Sequence, residues 1–411
     1  MGSTPVVIVG GGLIGLSSAL ALLERGAEVT VVDAAALGSG AARGNAGFLC
    51  PTLLAPLPGP GMLRNAARAL VDRDGSLRIR PGAVPSMARW GVRFVRASTT
   101  RRFEAGRAAL AALVRGQSEL LDRLAASGID VAAGEEIVVP FHDARLAERF
   151  HAELEPMGAL GVPGPGPLLD GAEVRRLVPA LTDHVNAGFA LPDNRAADPR
   201  RFVDSLIAVL RSQGVRLLEH RTITGFDAMG DRVRRLRMAD GDVDVGELVL
   251  AAGAGLRGLG RRLSLRLEVV AGQGYNVALP TTGLLGPPVI VEEVHAVATP
   301  FSDRIRLGGT MELTGGVPSF DPRRVDAIVR SMRRYLDLDW DGRWDVWSGS
   351  RPMSADGLPL LGRPRRFANV VVAGGHGMYG FTLAPATAAV VADLVVDGGT
   401  ALDLSAFDPD R

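Results

Sequence analysis

The chain has 411 residues, of which 47% are hydrophobic and 22% are charged, and this balance excludes a largely disordered protein. Its 46 basic and 45 acidic residues leave a net charge of +1, so the composition gives no sign of binding to nucleic acid or to an anionic membrane. The length predicts more than one domain, and the single cysteine, Cys50, excludes an internal disulfide framework and a cysteine-rich metal cluster. The six histidines are far apart in the sequence, so we predict no metal site.

Every basic residue is arginine, so no lysine is available for Schiff-base chemistry. The most apolar stretch near the start, residues 4–23, is interrupted by Gly10, Gly11 and Gly12 and has no basic residues before it. This pattern is typical of a buried strand and helix rather than of a membrane span or a signal peptide. We therefore expect a cytoplasmic protein with no integral membrane segment.

The start of the chain predicts a strand, a helix and a second strand in the order of a βαβ unit. Val6–Val9 is a short β-branched run, which is typical of a buried parallel strand. Leu13–Arg25 carries leucines at helical spacing and is followed by Gly26 at the position of a C-terminal cap. The second strand, Glu28–Val32, ends at Asp33.

The turn between the first strand and the helix carries the dinucleotide-binding fingerprint Gly10-x-Gly12-x-x-Gly15. Gly10 permits the tight turn, Gly12 lets the backbone approach a pyrophosphate, and Gly15 lets the helix lie close to the sheet. The helix N-terminus then presents unpaired N–H groups and partial positive charge to the phosphates. Asp33 is placed to bond the ribose hydroxyls. In this context the pattern predicts a bound dinucleotide.

A second run, Gly253-x-Gly255-x-x-Gly258, fits the same spacing but lacks the same context. It follows a strand, yet no second βαβ unit and no acidic residue at a strand end come after it. We interpret it as a tight strand-to-helix turn packed near the first nucleotide. A single, permanently bound dinucleotide favours FAD over NAD.

Strand–glycine–helix segments stand at the start, in the middle and at the end of the chain, where Val370–Ala373 precedes a glycine run and a helix expected from about residue 382 to 396. We predict an α/β fold in which one domain is assembled from discontinuous segments. This Rossmann-like FAD-binding domain comprises residues 1–85, 195–265 and 350–411. The inserted α+β substrate-binding domain, built on a mostly antiparallel sheet, comprises residues 86–194 and 266–349.

Five segments resemble those of the D-amino-acid oxidase superfamily, and most closely its D-amino-acid dehydrogenases. They are SGAARGNAG at 39–47, GQGY at 272–275, RIRLGGT at 304–310, SRPMSADG at 350–357, and GHG at 375–377 with Thr382 after it. The resemblance extends from Pro5 to Gly398 and implies an FAD-dependent enzyme. One departure is Ala296–Pro300, which lacks the tyrosine that helps to hold the substrate carboxylate in the oxidase branch.

The resemblance and the fingerprint together imply the residues of the site. The expected catalytic residues are Arg351, Tyr275, His376 and Tyr379. The expected cofactor-binding residues are Gly10, Gly12, Leu13, Ile14, Gly15, Asp33, Ala34, Arg43, Gly44, Asn45, Ala46, Gly47, Ala252, Gly253, Gly375, Gly377, Met378, Tyr379 and Gly380. Gly44 stands where covalent-flavin members carry a histidine, and Cys50 is not at the place of their cysteine, so the resemblance implies non-covalent FAD.

Arg351 is the expected clamp for a substrate carboxylate, because a guanidinium binds a carboxylate through two parallel bonds. Two interpretations of His376 stay open: its backbone lies beside the flavin and the ring is incidental, or the ring itself acts near substrate or flavin. We expect the tryptophans of the late cluster in the hydrophobic core; the alternative is that they stack on the cofactor. They are Trp340, Trp344 and Trp347.

The resemblance implies FAD-dependent oxidative deamination of a D-amino acid or a related secondary amino acid. Hydride transfer from the α carbon to flavin N5 would give an imine that hydrolyses to a 2-oxo acid. The alternative is a glycine-, sarcosine- or proline-type amine oxidase that uses oxygen. An amino acid is the expected small-molecule partner. The sequence leaves its side chain, its stereochemistry and the electron acceptor open.

Overall fold

The computed structural model describes residues 5–62, 69, 75–131, 136–280, 286–315, 320–341 and 345–411, so Trp344 lies outside the described residues. The strands, in chain order, are β1 (Val6–Val9), β2 (Val29–Val32), β3 (Phe48–Leu49), β4 (Leu77–Ile79), β5 (Ile137–Phe141), β6 (Leu168–Asp170), β7 (Ala187–Leu191), β8 (Arg195–Ala196), β9 (Arg216–Leu218), β10 (Ile223–Met229), β11 (Arg232–Met238), β12 (Val243–Asp244), β13 (Glu247–Leu250), β14 (Val269–Pro280), β15 (Val289–Val291), β16 (Ala296–Pro300), β17 (Arg304–Leu313), β18 (Asp345–Ser354), β19 (Leu360–Gly362) and β20 (Val370–Gly374). The α-helices are α1 (Leu13–Glu24), α2 (Ala88–Ala97), α3 (Thr100–Leu113), α4 (Gln117–Ala126), α5 (Ala144–Leu154), α6 (Pro156–Ala159), α7 (Gly171–Leu177), α8 (Pro199–Ser212), α9 (Leu256–Arg262), α10 (Pro322–Met332) and α11 (Gly380–Ala392).

A six-stranded sheet is built around the predicted βαβ unit, in the order β19-β20-β13-β1-β2-β9. Its neighbouring strands are parallel except β19 and β20. The β-branched run of β1 is buried over its whole length because both faces of the sheet are covered. Helices α1, α8 and α11 pack on one face, and the small sheet of β10, β11 and β12 packs on the other.

A nine-stranded sheet forms the second layer, in the order β18-β14-β17-β16-β15-β5-β7-β6 with β4 paired to β17. Its pairs are antiparallel except β15 with β5 and β17 with β4. The long strand β14 lies between β17 and β18, and α10 packs against β14 and β17. Trp340, expected in the core, packs at the edge of the hydrophobic cluster of this sheet.

The predicted combination of a Rossmann-like sheet with a mostly antiparallel second sheet is confirmed. The domain boundaries stay a prediction, and β18 runs through the predicted boundary at residue 350. The same strand links the two sheets, because Met353 forms a β-bridge with His376 and the Gly377 N–H donates to the Pro352 carbonyl at 2.8 Å.

The final helix differs from its prediction at its start. It begins at Gly380 rather than at about residue 382, so Pro385 lies inside it and offers no N–H to the Phe381 carbonyl. Among the described residues, the helical stretch Gly380–Asp397 is apolar and long enough to cross a membrane, with a mean hydropathy of 1.4. However, 67% of it is buried inside the protein, where α11 packs against α1.

Candidate active site

A cavity of about 1,220 Å³ is lined by both sheets and extends from the N-terminus of α1 to β18. This exceeds the roughly 300–1,000 Å³ of ordinary small-molecule pockets and leaves room for a dinucleotide with a small substrate. The predicted site residues in its wall are Gly10, Gly12, Leu13, Ile14, Asp33, Ala34, Gly44, Asn45, Ala46, Ala252, Gly253, Tyr275, Arg351, His376, Gly377, Met378, Tyr379 and Gly380. Those outside the wall are Gly15, Arg43, Gly47 and Gly375.

The fingerprint turn leaves open space where a phosphate is expected. Gly10 has a φ of +114°, and a Cβ there would lie 2.4 Å from the Ala251 carbonyl oxygen. A Cβ on Gly15 would lie 1.8 Å from the Gly10 carbonyl oxygen, so Gly15 supports the turn from behind without entering the wall. In the described part of the chain, no atom lies within 4 Å of the place that a Cβ on Gly12 would take. The turn therefore fits a pyrophosphate beside the N–H groups of α1.

Asp33 stands at the end of β2 and is half-buried in the cavity wall. Its Oδ2 accepts the Gly11 N–H at 2.7 Å and its Oδ1 accepts the Ala35 N–H at 2.8 Å. Each carboxylate oxygen can accept a further bond, so these contacts fix the side chain and leave acceptor capacity for ribose hydroxyls.

Arg43 is turned away from the cavity, unlike the other predicted residues of its loop. Its guanidinium forms an ion pair with Asp204 on the protein surface, because the chain turns at this residue and points the side chain outward. The expectation that the Arg43 side chain contacts the cofactor is therefore not supported by its position.

Trp347 lies in the cavity wall, although we expected it in the core. Its indole packs between two glycines: a Cβ on either Gly44 or Gly349 would lie 2.2 Å from the ring. The core expectation for Trp347 is wrong, because it considered residue type alone. A glycine at position 44 is needed for this close approach, which joins segments that are far apart in the sequence.

Arg351 is half-buried in the cavity wall, and its guanidinium lies over Gly274 of the neighbouring strand. A Cβ on Gly274 would come within 2.6 Å of the Arg351 Cζ, so the glycine provides the space for the guanidinium. Burial lowers the pKa of Arg351 to about 10, which leaves it cationic at neutral pH. Among the described residues no carboxylate lies at ion-pair distance from it, unlike the buried Arg304, which pairs with Asp198.

Tyr275 also borders the cavity, but its side chain points into a cluster of buried charges. Its hydroxyl donates to Glu312 Oε2 at 3.0 Å, and Glu312 also accepts two bonds from Arg80, at 2.8 and 3.1 Å. Burial and the Glu312 carboxylate raise the pKa of Tyr275 to about 12. Tyr275 therefore lines the cavity, while its hydroxyl is bonded to Glu312; its catalytic role stays a prediction. The next residue of the strand, Asn276, is the one that reaches the cofactor loop, donating to the Gly44 carbonyl at 2.6 Å.

His376 is 3% exposed, and its ring lies against α11. Its Nε2 is 3.0 Å from the Thr387 Oγ1, and no described residue bonds its Nδ1. Burial lowers the pKa of His376 to about 3, so the ring is neutral at physiological pH. These contacts favour the interpretation in which the backbone of the 375–377 turn, rather than the ring, borders the cofactor.

The N-terminus of α11 and its cap residue form the next part of the wall. Tyr379 is half-buried there, and burial raises the pKa of its phenol to about 12, so it stays a hydrogen-bond donor. The N–H groups of Gly380 and Phe381 have no partner within the helix and carry its partial positive charge. Thr382 fixes this end, because its Oγ1 donates to the Phe48 carbonyl at 3.0 Å and accepts the Cys50 N–H at 3.2 Å.

The Cys50 thiol is buried in the same wall, and burial raises its pKa to about 12. A thiol with such a pKa carries little thiolate at neutral pH and is a poor nucleophile. The described residues contain no cluster of three or more acidic, histidine or cysteine side chains that could hold a metal ion.

Residues 5–394 match the FAD dependent oxidoreductase family, DAO. The chain belongs to this family. It is similar to the D-amino acid dehydrogenase of Rhodopseudomonas palustris (strain HaA2), with 31% identity over 402 residues that cover 94% of this chain and 93% of the relative. It is also similar to the D-amino acid dehydrogenase of Rhizorhabdus wittichii RW1, with 30% identity over 420 residues that cover 99% of both proteins.

Solved structures of other flavoenzymes share the fold of this DAO-family chain. Glycine oxidase from Geobacillus kaustophilus superposes with a TM-score of 0.75 at 22% identity, covering 100% of this chain and 99% of its own. L-proline dehydrogenase from P. horikoshii has a TM-score of 0.72 at 21% identity, covering 100% and 97%. The predictions of the superfamily, of an oxidoreductase and of FAD are confirmed at the level of the family.

Proposed function

We propose that this protein is an FAD-dependent D-amino-acid dehydrogenase, which oxidises a D-amino acid or a related secondary amino acid at its α carbon. The imine that results would be hydrolysed by water to a 2-oxo acid. The names of the relatives that match nearly the whole chain support the substrate class. The observation that carries the proposal is the Arg351 guanidinium in the cavity wall, for which no described residue provides a carboxylate at ion-pair distance.

A buried guanidinium that forms no ion pair with a carboxylate of the described residues is suited to bind an anionic ligand. The desolvated Arg351 would recover its lost hydration by binding the substrate carboxylate through two parallel bonds, which fix orientation as well as affinity. This orientation would hold the α carbon and its hydrogen in a single pose, which lowers the entropic part of the barrier. We therefore propose that Arg351 binds the substrate carboxylate, which is the role predicted for it from the sequence.

Bound FAD supplies a two-electron acceptor for the hydride of the α carbon. The protein would hold it without a covalent bond, through the Gly10–Gly12 turn, Asp33 and the loop that contains Gly44. The N–H groups at the start of α11 would stabilise the negative charge that arrives with the electrons. No acid–base pair is needed once the amine is neutral, which agrees with a neutral, buried His376 and a protonated Tyr379.

Anaerobic mixing with amino acids tests the proposal. We expect the visible flavin absorbance to bleach with one or more D-amino acids and to change much less with their L enantiomers. Strong bleaching by glycine, sarcosine or proline, with none by the D-amino acids, would favour the alternative amine oxidase. No bleaching by any of these compounds, with FAD bound, would contradict both readings.

The electron acceptor and the cellular location need separate measurements. Oxygen and a quinone or dye can be compared as oxidants of the substrate-reduced enzyme: faster reoxidation by the quinone or dye would support a dehydrogenase, and faster reoxidation by oxygen an oxidase. We keep the cytoplasm as the proposed location, which cell fractionation tests.

A further inference from the structure

The loop of residues 43–46 borders the cavity and is held from behind by the nine-stranded sheet. Its four carbonyl oxygens accept hydrogen bonds from three side chains of that sheet. These side chains, Asn276, Thr299 and Arg306, are 4%, 0% and 2% exposed. The orientation of each peptide in the loop is therefore set by buried groups from distant strands.

Arg306 makes two of these bonds with a single nitrogen. Its Nη1 donates to the Arg43 carbonyl at 3.1 Å and to the Asn45 carbonyl at 2.6 Å. Thus Arg306 holds alternate peptides of the loop, the one between residues 43 and 44 and the one between residues 45 and 46.

The two remaining peptides of the loop have protein partners on both sides. The bonds are Asn276 Nδ2 to Gly44 O at 2.6 Å, Asn45 N–H to Ala42 O at 3.1 Å, Thr299 Oγ1 to Ala46 O at 2.7 Å and Gly47 N–H to Asn45 Oδ1 at 2.8 Å. Neither of these peptides has an N–H left for a ligand.

The peptides held by Arg306 differ, because their N–H groups are unused. These groups belong to Gly44 and Ala46, and no described residue accepts a hydrogen bond from either. In a planar trans peptide the N–H points opposite to the C=O. Both N–H groups therefore point away from Arg306, and both residues stand in the cavity wall.

Arg306 also brings a positive charge that no carboxylate in the described part of the chain neutralises by a direct ion pair. The acidic groups that influence it, Asp198 and Asp345, form ion pairs with Arg304 and Arg200 instead. No described carboxylate lies within ion-pair distance of Arg306, and its bonded acceptors are backbone carbonyls. A cation bonded to a carbonyl polarises the peptide and strengthens the N–H at its other end as a donor.

We infer that Arg306 is a positioning residue for the flavin, which aims the N–H groups of Gly44 and Ala46 at acceptor atoms of the flavin ring and polarises both donors. Reduction places negative charge on the ring, so aimed donors beside a buried cation bind reduced flavin more tightly than oxidised flavin. The inference rests on FAD binding and does not depend on the substrate proposed above.

The test measures FAD affinity and the flavin reduction potential in Arg306→Met, without any amino acid. We expect the FAD dissociation constant to rise at least about tenfold when apoprotein is titrated with FAD. We also expect the preference for reduced over oxidised flavin to fall about tenfold, which is about 30 mV for a two-electron couple. Thermal unfolding of the apoprotein checks that the variant folds.

Two matched variants separate this role from a merely structural one. Thr299→Val removes the bond to a peptide whose N–H is already used, so the potential should stay within the equivalent of a twofold change. Arg324→Met removes a buried arginine that also bonds backbone carbonyls, those of Gly75, Ser76 and Met311, but away from the cofactor loop; it should lower stability without moving the potential. If Arg306→Met does not fold, Arg306→Lys keeps the charge but not both bonds, and FAD affinity should still fall.

An unchanged potential in Arg306→Met overturns the inference, whether or not FAD affinity falls. With lower affinity, that result would mean that the two N–H groups bind a phosphate or the ribityl chain. With wild-type FAD affinity, that result would mean that Arg306 only stabilises the loop of residues 43–46. If only Arg306→Lys folds, wild-type FAD affinity in that variant overturns the inference too.

Discussion

Asp33 combines a structural role with spare binding capacity, since two backbone N–H groups fix its carboxylate at the edge of the cavity. We predict that Asp33→Ala weakens FAD binding by about tenfold to a hundredfold, the equivalent of roughly 1.5–3 kcal/mol for lost bonds to a charged acceptor. Flavin reduction in the reconstituted variant should change less. Titration of apoprotein with FAD, followed by flavin fluorescence, measures the affinity.

The matched control is Asp204→Ala, which removes the partner of Arg43 outside the cavity. Its FAD affinity should remain within about twofold of the wild type, because an exposed ion pair contributes little. Equal FAD affinities in Asp33→Ala and the wild type would remove Asp33 from the cofactor site.

His376 should make stability depend on pH, because its buried ring resists protonation. Its pKa falls from 6.5 to about 3 on folding, so the unfolded chain binds the proton more readily. The stability from the neutral ring is complete above pH 6.5 and is lost as the pH falls from about 6.5 towards 3. Between pH 7.5 and 5.0 we expect His376→Gln, which does not titrate, to lose less stability than the wild type by roughly 2 kcal/mol.

Urea unfolding of both proteins at the two pH values measures this difference. The other titratable groups contribute equally to the pH dependence of both proteins, so their contribution cancels in the difference, provided that both proteins unfold in two states. Parallel losses in the two proteins would show that the ring is solvated or protonated in the folded state.

Side-chain roles were the hardest feature to predict from the sequence. Tyr275 was expected at the site because it ends the matched segment at 272–275, yet its hydroxyl is bonded to Glu312. Asn276, one residue later, faces the cofactor loop and was missed. Neighbouring residues on a strand point to opposite faces, so an error of one position reverses the assignment.

At the scale of elements, the start of α11 concentrates donors at one end of the cavity. The Thr382 side chain ties this end to the backbone of residues 48 and 50. We predict that the flavin binds sulfite, which adds a negative charge that a helix N-terminus stabilises. Thr382→Val should weaken sulfite binding about tenfold, or ~1.4 kcal/mol, because the helix end is no longer fixed. Bleaching of the flavin absorbance during sulfite titration gives the affinity.

Thr387→Val is the control, since Thr387 is a buried threonine of the same helix that bonds His376 instead. It should change sulfite affinity by less than about twofold. Failure of the wild-type flavin to bind sulfite would contradict the placement of α11 beside the electron-rich part of the flavin.

Elements with strong local signals were predicted well. The run Val6–Val9, the glycine turn and the helix up to Gly26 follow from propensity, periodicity and capping within one βαβ unit. The start of α11 was misplaced because Thr382 and Pro385 both suit a helix start, whereas the helix begins two residues before Thr382, at Gly380.

At the scale of the whole molecule, the site is formed by contacts between distant segments, and these carry no local signal. Trp347 rests on Gly44, and Arg306 binds the backbone on either side of it. Each pair joins the nine-stranded sheet to the cofactor loop across more than half of the chain. Hydrophobic periodicity indicates only which face of an element is buried, so it could not predict these contacts between distant residues.

Arg351 stands on β18 where that strand connects the two sheets, and the proposed function depends on its guanidinium. We predict that Arg351→Ala keeps its FAD and its fold, but that reduction of its flavin by the best amino acid is slower by at least about a hundredfold, or roughly 2.7 kcal/mol. Arg351→Lys should recover little of this loss, because an ammonium cannot reproduce the two parallel bonds. Arg200→Ala, which removes an exposed arginine paired to the start of the same strand, should reduce at nearly the wild-type rate.

Anaerobic stopped-flow measurement of flavin reduction, across a range of amino acid concentrations, tests this role of Arg351. We expect slow reduction and weak saturation in Arg351→Ala, with the rate in Arg200→Ala unchanged. A rate and half-saturation close to wild type in Arg351→Ala would contradict it, and would mean that the substrate carboxylate is bound by another group.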